Sequence, residues 1–226
     1  YTDVRKAEIE RKKALDVNSN GVKNLVNFCE KNNVKLIHFS TDYVYNALNK
    51  KPINEDELID PQNYYGYTKR EGEKHIENSN GESIVIRTSW LYSKYGNNFV
   101  NTIIAKSKTG ENLKVINDQF GCPTYAKDLA LAVIQVLESD KRIDKKAKIF
   151  NYSNTESTNW FDFAKKILKL YGSNTKVEPV DSEYFKDEVK RPKFSITSKQ
   201  KIIDTFNIEI NNWDKSLADY ITNDLK

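Results

Sequence analysis

The segment from Leu36 to Lys69 constrains the fold more than any other part of the chain. It opens with an apolar run, Leu36-Ile37-His38-Phe39, that ends in a polar tip, Ser40-Thr41-Asp42. A short apolar run bounded by polar residues reads as a strand buried on both faces, the kind found in parallel sheets. In open α/β sheets ligands lie beyond the carboxyl ends of the strands, so Ser40, Thr41 and Asp42 are placed for chemistry. The segment closes with Pro61-Gln62-Asn63-Tyr64-Tyr65-Gly66-Tyr67-Thr68-Lys69, the start of a helix. Tyr65 and Lys69 stand one helical turn apart and share a face.

The rest of the chain alternates in the same way. Small or apolar residues at Ala14, Val17, Gly21, Val22, Leu25 and Cys29 predict one amphipathic helix over Glu8–Lys31, ending at Asn32-Asn33. A strand over Val34–Ser40 follows. The irregular loop Asn46–Gln62 is expected to lie over the site as a flap, and the Tyr65 helix to run to Asn78. Ser83-Ile84-Val85-Ile86-Arg87-Thr88 reads as the next parallel strand and delivers Ser89, Trp90 and Tyr92 to the same rim as Thr41. Beyond it the pattern predicts a helix over Asn98–Thr109 stopped by Gly110, a strand over Leu113–Asn117 and a helix over Tyr125–Glu138. A solvated charge run at Lys141–Lys146 and a strand at Lys148–Tyr152 come next. The chain finishes with a capped helix over Thr158–Tyr171 closed by Gly172, a strand at Val177–Val180, and helices at Ser198–Thr205 and Asp214–Leu225. This alternation predicts an α/β fold, a doubly wound parallel sheet of Rossmann type, with a smaller α/β lobe built mainly from the second half.

Composition narrows the function classes. The chain has 226 residues, 38% hydrophobic and 30% charged, enough for a sizeable core, and no run of about 18 apolar residues that would span a membrane. Its 36 basic and 32 acidic residues are spread evenly, leaving a net charge of +4 without the clustered Lys and Arg of a nucleic-acid footprint. Cys29 and Cys122 lack a Cys-x-x-Cys neighbour, and His38 and His75 are too few for a histidine metal site or a histidine-dependent nucleophile. A reduced, cytoplasmic protein is the expectation. The chain has no methionine and begins Tyr1-Thr2-Asp3, so it reads as a fragment of something longer.

A Tyr-x-x-x-Lys spacing carries little by itself in a chain with 13 tyrosines and many lysines. Its setting between two strand ends, Ser40-Thr41-Asp42 and Arg87-Thr88-Ser89-Trp90, gives it meaning. A free phenol titrates near 10, and a lysine one turn away favours the phenolate, which is expected to draw Tyr65 down towards neutral pH. With Thr41 bonding the same carbonyl oxygen, the trio suits carbonyl reduction, Tyr65 protonating oxygen while hydride arrives at carbon.

Ser40-Thr41-Asp42-Tyr43-Val44-Tyr45, Tyr65-Gly66-Tyr67-Thr68-Lys69, Arg87-Thr88-Ser89-Trp90-Leu91-Tyr92, Gly96-Asn97-Asn98-Phe99 and Asn117-Asp118-Gln119-Phe120-Gly121-Cys122-Pro123-Thr124 occur in that order. With Tyr1-Thr2, Ala7-Glu8 and Arg191-Pro192…Ser195, they resemble the dTDP-4-dehydrorhamnose reductase family (RmlD-like), extended short-chain dehydrogenases/reductases, along the whole chain. Arg5 stands where that family usually has Asp. The resemblance implies reduction of the 4-keto group of dTDP-6-deoxy-L-lyxo-4-hexulose to dTDP-L-rhamnose with NADPH or NADH. It makes Tyr65 the proton donor, Lys69 the ligand of the nicotinamide ribose that tunes Tyr65, and Thr41 the third member of a triad. Thr41, Asp42 and Trp90 would contact the dTDP-4-keto-6-deoxy sugar, with Arg191 as a diphosphate partner; Tyr1, Thr2 and Phe39 would line the cofactor beside Tyr65 and Lys69. Read from the residues alone, Trp90 also suits packing, Asp42 a turn backbone and Arg191 an exposed surface.

The resemblance assigns residues 1–88 to the remainder of a cofactor domain and 89–226 mainly to a substrate lobe, with about 124–153 returning to the first. The Gly-rich phosphate loop and the residue that selects NAD over NADP are absent from the sequence; some 60 residues holding them are expected upstream, by comparison with that architecture. Magnesium, carried by resemblance to some members, has no ligand cluster in the sequence. A homodimer is left open, and no nucleic-acid or membrane partner is expected. Sugar-nucleotide dehydratases place Asp-Glu after the Thr, whereas Tyr43 follows Asp42 here, so reduction is favoured over elimination. Two rival readings are a non-catalytic reductase-like regulatory subunit, such as that of methionine adenosyltransferase, and a reductase of a different nucleotide sugar.

Overall fold

The computed structural model describes residues 1–46, 50–141 and 148–225. Helices α1 (Val4–Ile9), α2 (Arg11–Leu15) and α3 (Gly21–Asn32) lead into strand β1 (Leu36–Thr41), followed by helix α4 (Tyr64–Glu77) and strand β2 (Ser83–Thr88). Strand β3 (Leu91–Tyr92), helix α5 (Phe99–Ser107), and strands β4 (Leu113–Ile116), β5 (Phe120–Gly121) and β6 (Thr124–Tyr125) come next. After helix α6 (Ala126–Glu138) the chain returns as β7 (Ile149–Tyr152), then β8 (Thr158–Asn159), α7 (Trp160–Tyr171), β9 (Val177–Val180), α8 (Gln200–Phe206) and α9 (Trp213–Asp219).

The main sheet runs β1-β2-β7, all parallel, with Thr41 in register with Thr88 and Thr88 with Tyr152. Successive side chains of a strand point to opposite faces, and β2 uses both. Val85 packs with Val22, Val26 and Ile76 of α3 and α4, whereas Ile86 packs with Leu129, Ala132 and Val136 of α6. Helices cover both faces, as the doubly wound expectation requires. A second core gathers Tyr92, Val100, Ile103, Phe163, Ile167, Leu168, Leu217 and Tyr220 around the parallel pair β4–β9. Among the described residues no helix is long and apolar enough to cross a membrane.

The expected single helix over Glu8–Lys31 is interrupted. The backbone breaks at Glu10 (φ −89°, ψ 44°), and Asp16–Asn20 forms a π-turn before α3 begins. The extra residue shifts the buried stripe, so Asn18 and Ser19 turn inward while Val17 and Leu25 stand half exposed. Asn18 uses that position to donate to the Tyr1 carbonyl (2.9 Å) and to Thr68 Oγ1 on α4 (3.0 Å). Asn33, in the left-handed region at φ 52°, closes α3, and β1 starts two residues later than expected. Thr158 belongs to β8, and the cap of α7 is Asn159, whose Oδ1 accepts from Asp162 N. The expected helix at Asp214–Leu225 changes to a π-turn from Tyr220.

The expected flap is tied down instead. Ile53 is buried, its N donates to Ile196 O and its O accepts from Ser198 N. Glu55 Oε1 accepts from Asn151 N on β7 at 2.8 Å. Residues 47–49, and the charge run beyond Lys141, lie outside the described residues.

One buried ion pair joins these pieces. Arg87 of β2 and Glu73 of α4 are 1% and 0% exposed and meet side-on, Nε to Oε1 at 2.9 Å and Nη2 to Oε2 at 2.7 Å. Arg87 Nη1 also donates to Tyr45 Oη and the Glu55 carbonyl, and Tyr45 Oη donates to Asn151 Oδ1. Burial alone would raise the Glu73 pKa, but the hydrogen bonds and charge of Arg87 more than offset it and hold the carboxyl below its usual range. Removing one partner of such a pair strands a buried charge. Glu73→Ala is therefore expected to cost about 3–5 kcal/mol in urea unfolding. Lys74→Ala, which breaks the exposed Lys74–Glu71 pair, should cost under about 1 kcal/mol. Equal losses would show that the Glu73 pair does not anchor α4.

Candidate active site

The site is built where β1 ends against the first turns of α4. After Thr41 the chain enters a 3-10 turn, Asp42–Val44, capped by Thr41 itself, whose Oγ1 accepts from Tyr43 N at 3.2 Å. Asp42 also draws on the turn backbone, since the Asp42 and Tyr43 N–H groups favour its carboxylate. Thr41 and Asp42 are both buried, and Thr41 Oγ1 donates to Asp42 Oδ1 at 3.1 Å. Asn63 caps α4, its Oδ1 accepting from Gly66 N at 2.9 Å. Close approach of α4 to the turn demands glycine at Gly66, where a Cβ would lie 2.2 Å from the Tyr43 carbonyl oxygen.

That approach sets Tyr65 against Thr41, and the Tyr43 ring stands edge-on to Tyr65, 6.0 Å between centroids at 79°. One turn later, Lys69 Nζ donates to the Phe39 carbonyl at 2.6 Å and lies 3.4 Å from His38 Nε2. The trio Thr41, Tyr65 and Lys69 therefore gathers at the carboxyl end of β1.

The electrostatics correct one expectation. Tyr65 is pushed well above its ordinary 10, not drawn down: burial dominates, the Thr41 hydroxyl opposes it, and Asp42 and Tyr43 add to it. The Lys69 ammonium is taken up by the Phe39 carbonyl, and burial lowers Lys69 itself to about 8 despite Glu73 nearby. Asp42 is raised to about 7 by burial, against the Ser195 and Thr41 hydroxyls.

The remaining expected residues fall in three places. Phe39 is 44% exposed at the Lys69 rim. Tyr1 donates its phenol to Glu10 at 2.9 Å, so only its backbone, bonded to Asn18, approaches α4; Thr2 is exposed. Trp90, in the left-handed region at φ 47°, stacks on Trp160 with centroids 3.4 Å apart at 10°. A Cβ on Gly121 would sit 2.7 Å from Trp90 Cε2, so only glycine leaves room for the indole. Trp160 of this pair lines a groove of about 860 Å³, with Phe99, Gln119, Tyr184, Phe185 and Arg191 among the other lining residues. Arg191 is no free surface cation: it reaches Tyr43 Oη at 3.4 Å and Asp187 Oδ2 at 3.2 Å. Among the described residues no group of three or more His, Cys, Asp or Glu is gathered to hold a metal ion, so no residue is assigned to magnesium.

Sequence reasoning missed Glu73, His38 and Trp160. An arginine inside the apolar run Ser83–Thr88 was a usable signal, since a buried guanidinium needs a counter-charge. Nothing local marks Trp160, which meets Trp90 only through the fold.

The RmlD substrate binding domain family matches residues 1–225. The chain belongs to that family. Within it, the chain is 34% identical over 221 residues to the spore coat polysaccharide biosynthesis protein SpsK of Bacillus subtilis (strain 168), covering 98% of this chain and 76% of that protein. It is 35% identical over 223 residues to dTDP-4-dehydrorhamnose reductase of Sinorhizobium fredii, covering 96% and 75%. The crystal structure of dTDP-4-dehydrorhamnose reductase from Bacillus anthracis in complex with NADP superposes with a TM-score of 0.90 at 34% identity, covering 97% of this chain and 76% of that one. The Rossmann-like architecture of this RmlD-family chain is thus shared with a solved relative.

His38 gives a test of the site's burial. Desolvation, then the Lys69 charge, lowers its pKa from 6.5 to about 4. The unfolded chain takes up that proton as pH falls through about 6.5, the folded one only near 4, so the contribution is present above about 6.5 and lost as pH falls towards 4. His38→Gln should shrink the loss of stability between about pH 6.5 and 4.5 by about 2 kcal/mol in urea unfolding. An unchanged loss would mean that the imidazole is not held neutral beside Lys69.

Proposed function

We propose that this site reduces the 4-keto group of dTDP-6-deoxy-L-lyxo-4-hexulose to give dTDP-L-rhamnose, with NADPH as the reductant. The observation that carries the reading is the placement of Tyr65 against Thr41 and of Lys69 on the Phe39 carbonyl, both at the carboxyl end of one strand. Names of relatives support it: dTDP-4-dehydrorhamnose reductases in several organisms, one of them in complex with NADP.

The residues present suit a nicotinamide nucleotide. Lys69 keeps N–H groups beyond the one given to Phe39, and the exposed Phe39 ring offers an apolar surface at the same rim. Tyr65, Lys69 and Phe39 would hold the nicotinamide end, with the Tyr1-Thr2 backbone alongside. The cofactor supplies hydride to the ketone carbon. Tyr65 gives its phenol proton to the ketone oxygen, which Thr41 helps to hold. The raised pKa of Tyr65 keeps that proton in place at neutral pH, and an alkoxide developing beside it is a far stronger base than a phenolate, so transfer runs towards the alcohol.

Trp90 and Arg191 face the sugar nucleotide in this reading, and Asp42, buried, reaches it through Thr41. The adjoining groove combines aromatic rings (Phe99, Trp160, Tyr184, Phe185) with the cations Lys106, Lys114 and Arg191, a composition that suits a base and a diphosphate. Residues 1–88 with 124–153 form the cofactor side and the rest of 89–226 the substrate lobe.

Tyr65→Phe should lower kcat by about 10²–10⁴-fold while sugar-nucleotide binding persists; near-normal turnover would remove Tyr65 as the acid. Trp90→Ala should weaken dTDP-sugar binding about tenfold or more and leave NADPH binding within about twofold, by loss of one aromatic anchor. Equal losses in calorimetry would reduce Trp90 to a packing residue.

A further inference from the structure

The one hydrogen of the Thr41 hydroxyl is already claimed by Asp42. A threonine hydroxyl owns one hydrogen and two lone pairs. One lone pair takes the Tyr43 N–H at 3.2 Å, and Asp42 Oδ1 stands 3.1 Å away. A carboxylate has no hydrogen to give, so while Asp42 is ionised the Thr41 hydrogen is committed to it. Thr41 then has no hydrogen left to donate to a ketone. When Asp42 is protonated, its O–H donates to Thr41 Oγ1, both lone pairs are filled, and the Thr41 hydrogen is released. The Tyr65 phenol stands beside it as a second donor. Two donors then meet the two lone pairs of the ketone oxygen.

We propose that Asp42 is the positioning residue that sets the polarity of Thr41, and that the site is competent for ketone reduction only with the Asp42 carboxyl protonated. The proposal rests on the reductase reading above. Several neighbours fit it. Asp42 is 3% exposed, its Oδ2 has no hydrogen-bond partner among the described residues, and the nearby Ser195 hydroxyl, which donates to Phe120 O at 3.4 Å, favours its carboxylate. The titratable groups facing it are the Tyr43 phenol on its own turn, the Tyr65 phenol on α4 and the Cys122 thiol on the loop after β5, each raised by burial and neutral near pH 7. The nearby cations are engaged elsewhere: Lys69 on the Phe39 carbonyl, Arg191 on Asp187 and Tyr43, Lys199 on Cys122 Sγ at 3.6 Å. Burial without a counter-charge places the Asp42 titration at about 7.

The test is the pH profile of kcat for the intact protein with saturating NADPH and dTDP-4-keto-6-deoxy sugar. Wild-type kcat should fall about fourfold between pH 6 and 7.5, as for one required acid titrating near 7. Asp42→Asn, whose amide donates to Thr41 at every pH, should vary less than about 1.5-fold over that range. Ser195→Ala removes a nearby hydroxyl that favours the carboxylate, so its profile should move to higher pH. A flat wild-type profile, an unchanged limb in Asp42→Asn, or a Ser195→Ala midpoint at the same or lower pH overturns the proposal. A limb that belongs to Lys69, held at about 8, would persist in Asp42→Asn and counts among the overturning results.

Infrared difference spectra between pH 6 and 8.5 supply a readout independent of turnover. A carboxylic-acid carbonyl band should be lost from the wild type and be missing from Asp42→Asn; no such band in the wild type overturns the proposal whatever the kinetics. Absence of turnover at every pH with the band still titrating sinks the reductase reading instead, and the gate with it.

Discussion

Everything at the site depends on how α4 is seated, and the Glu73–Arg87 pair seats it. Arg87 lies in the middle strand of the main sheet and Glu73 one turn beyond Lys69, both out of water. A pair in that setting gains little net energy over well-packed apolar residues, but it tolerates only one geometry. Its two-point contact fixes the rotation of α4 about its own axis, and Arg87 carries the same constraint to Tyr45, the Glu55 carbonyl and, through Tyr45, to Asn151 on β7. With the helix turned so, Tyr65 and Lys69 have one direction to point, towards the end of β1.

Low polarity at that end explains the titration pattern as a set. Burial favours the neutral form of every group, so it raises Tyr65 and Asp42 and lowers Lys69 and His38. The lysine one turn away does not make the phenol acidic; burial governs the shift of Tyr65. The site therefore rests with protons in place, Tyr65 as phenol and Asp42 half-titrated near neutrality. That state is loaded for giving a proton to an oxygen that turns basic as a ketone is reduced.

Much of this was legible in the sequence because the signals were local. The run Ser83–Thr88 gave its strand to the residue, the stretch Pro61–Lys69 read as a helix start, and the four-residue spacing brought Tyr65 and Lys69 to one face. Other features depend on distant contacts and left no local mark. The π-turn at Asp16–Asn20 lets Asn18 reach Thr68 and Tyr1, partners 50 and 17 residues away, and no period in the sequence forecasts it. The segment before Pro61 looked free because its polar residues resemble a loop. Ile53 and Glu55 instead bond to residues more than 90 positions later. The direction of the Tyr65 shift was misjudged for a related reason. Spacing reveals a neighbouring charge but not the burial that outweighs it.

The central claim is that α4, held by its buried ion pair, presents a phenol proton and a hydride site to one ketone. The most direct measurement is product analysis after turnover with NADPH deuterated at its transferable position and dTDP-6-deoxy-L-lyxo-4-hexulose. The account predicts dTDP-L-rhamnose carrying one deuterium at the sugar C4. Recovery of the keto sugar unchanged, or a product without deuterium at C4, would contradict it.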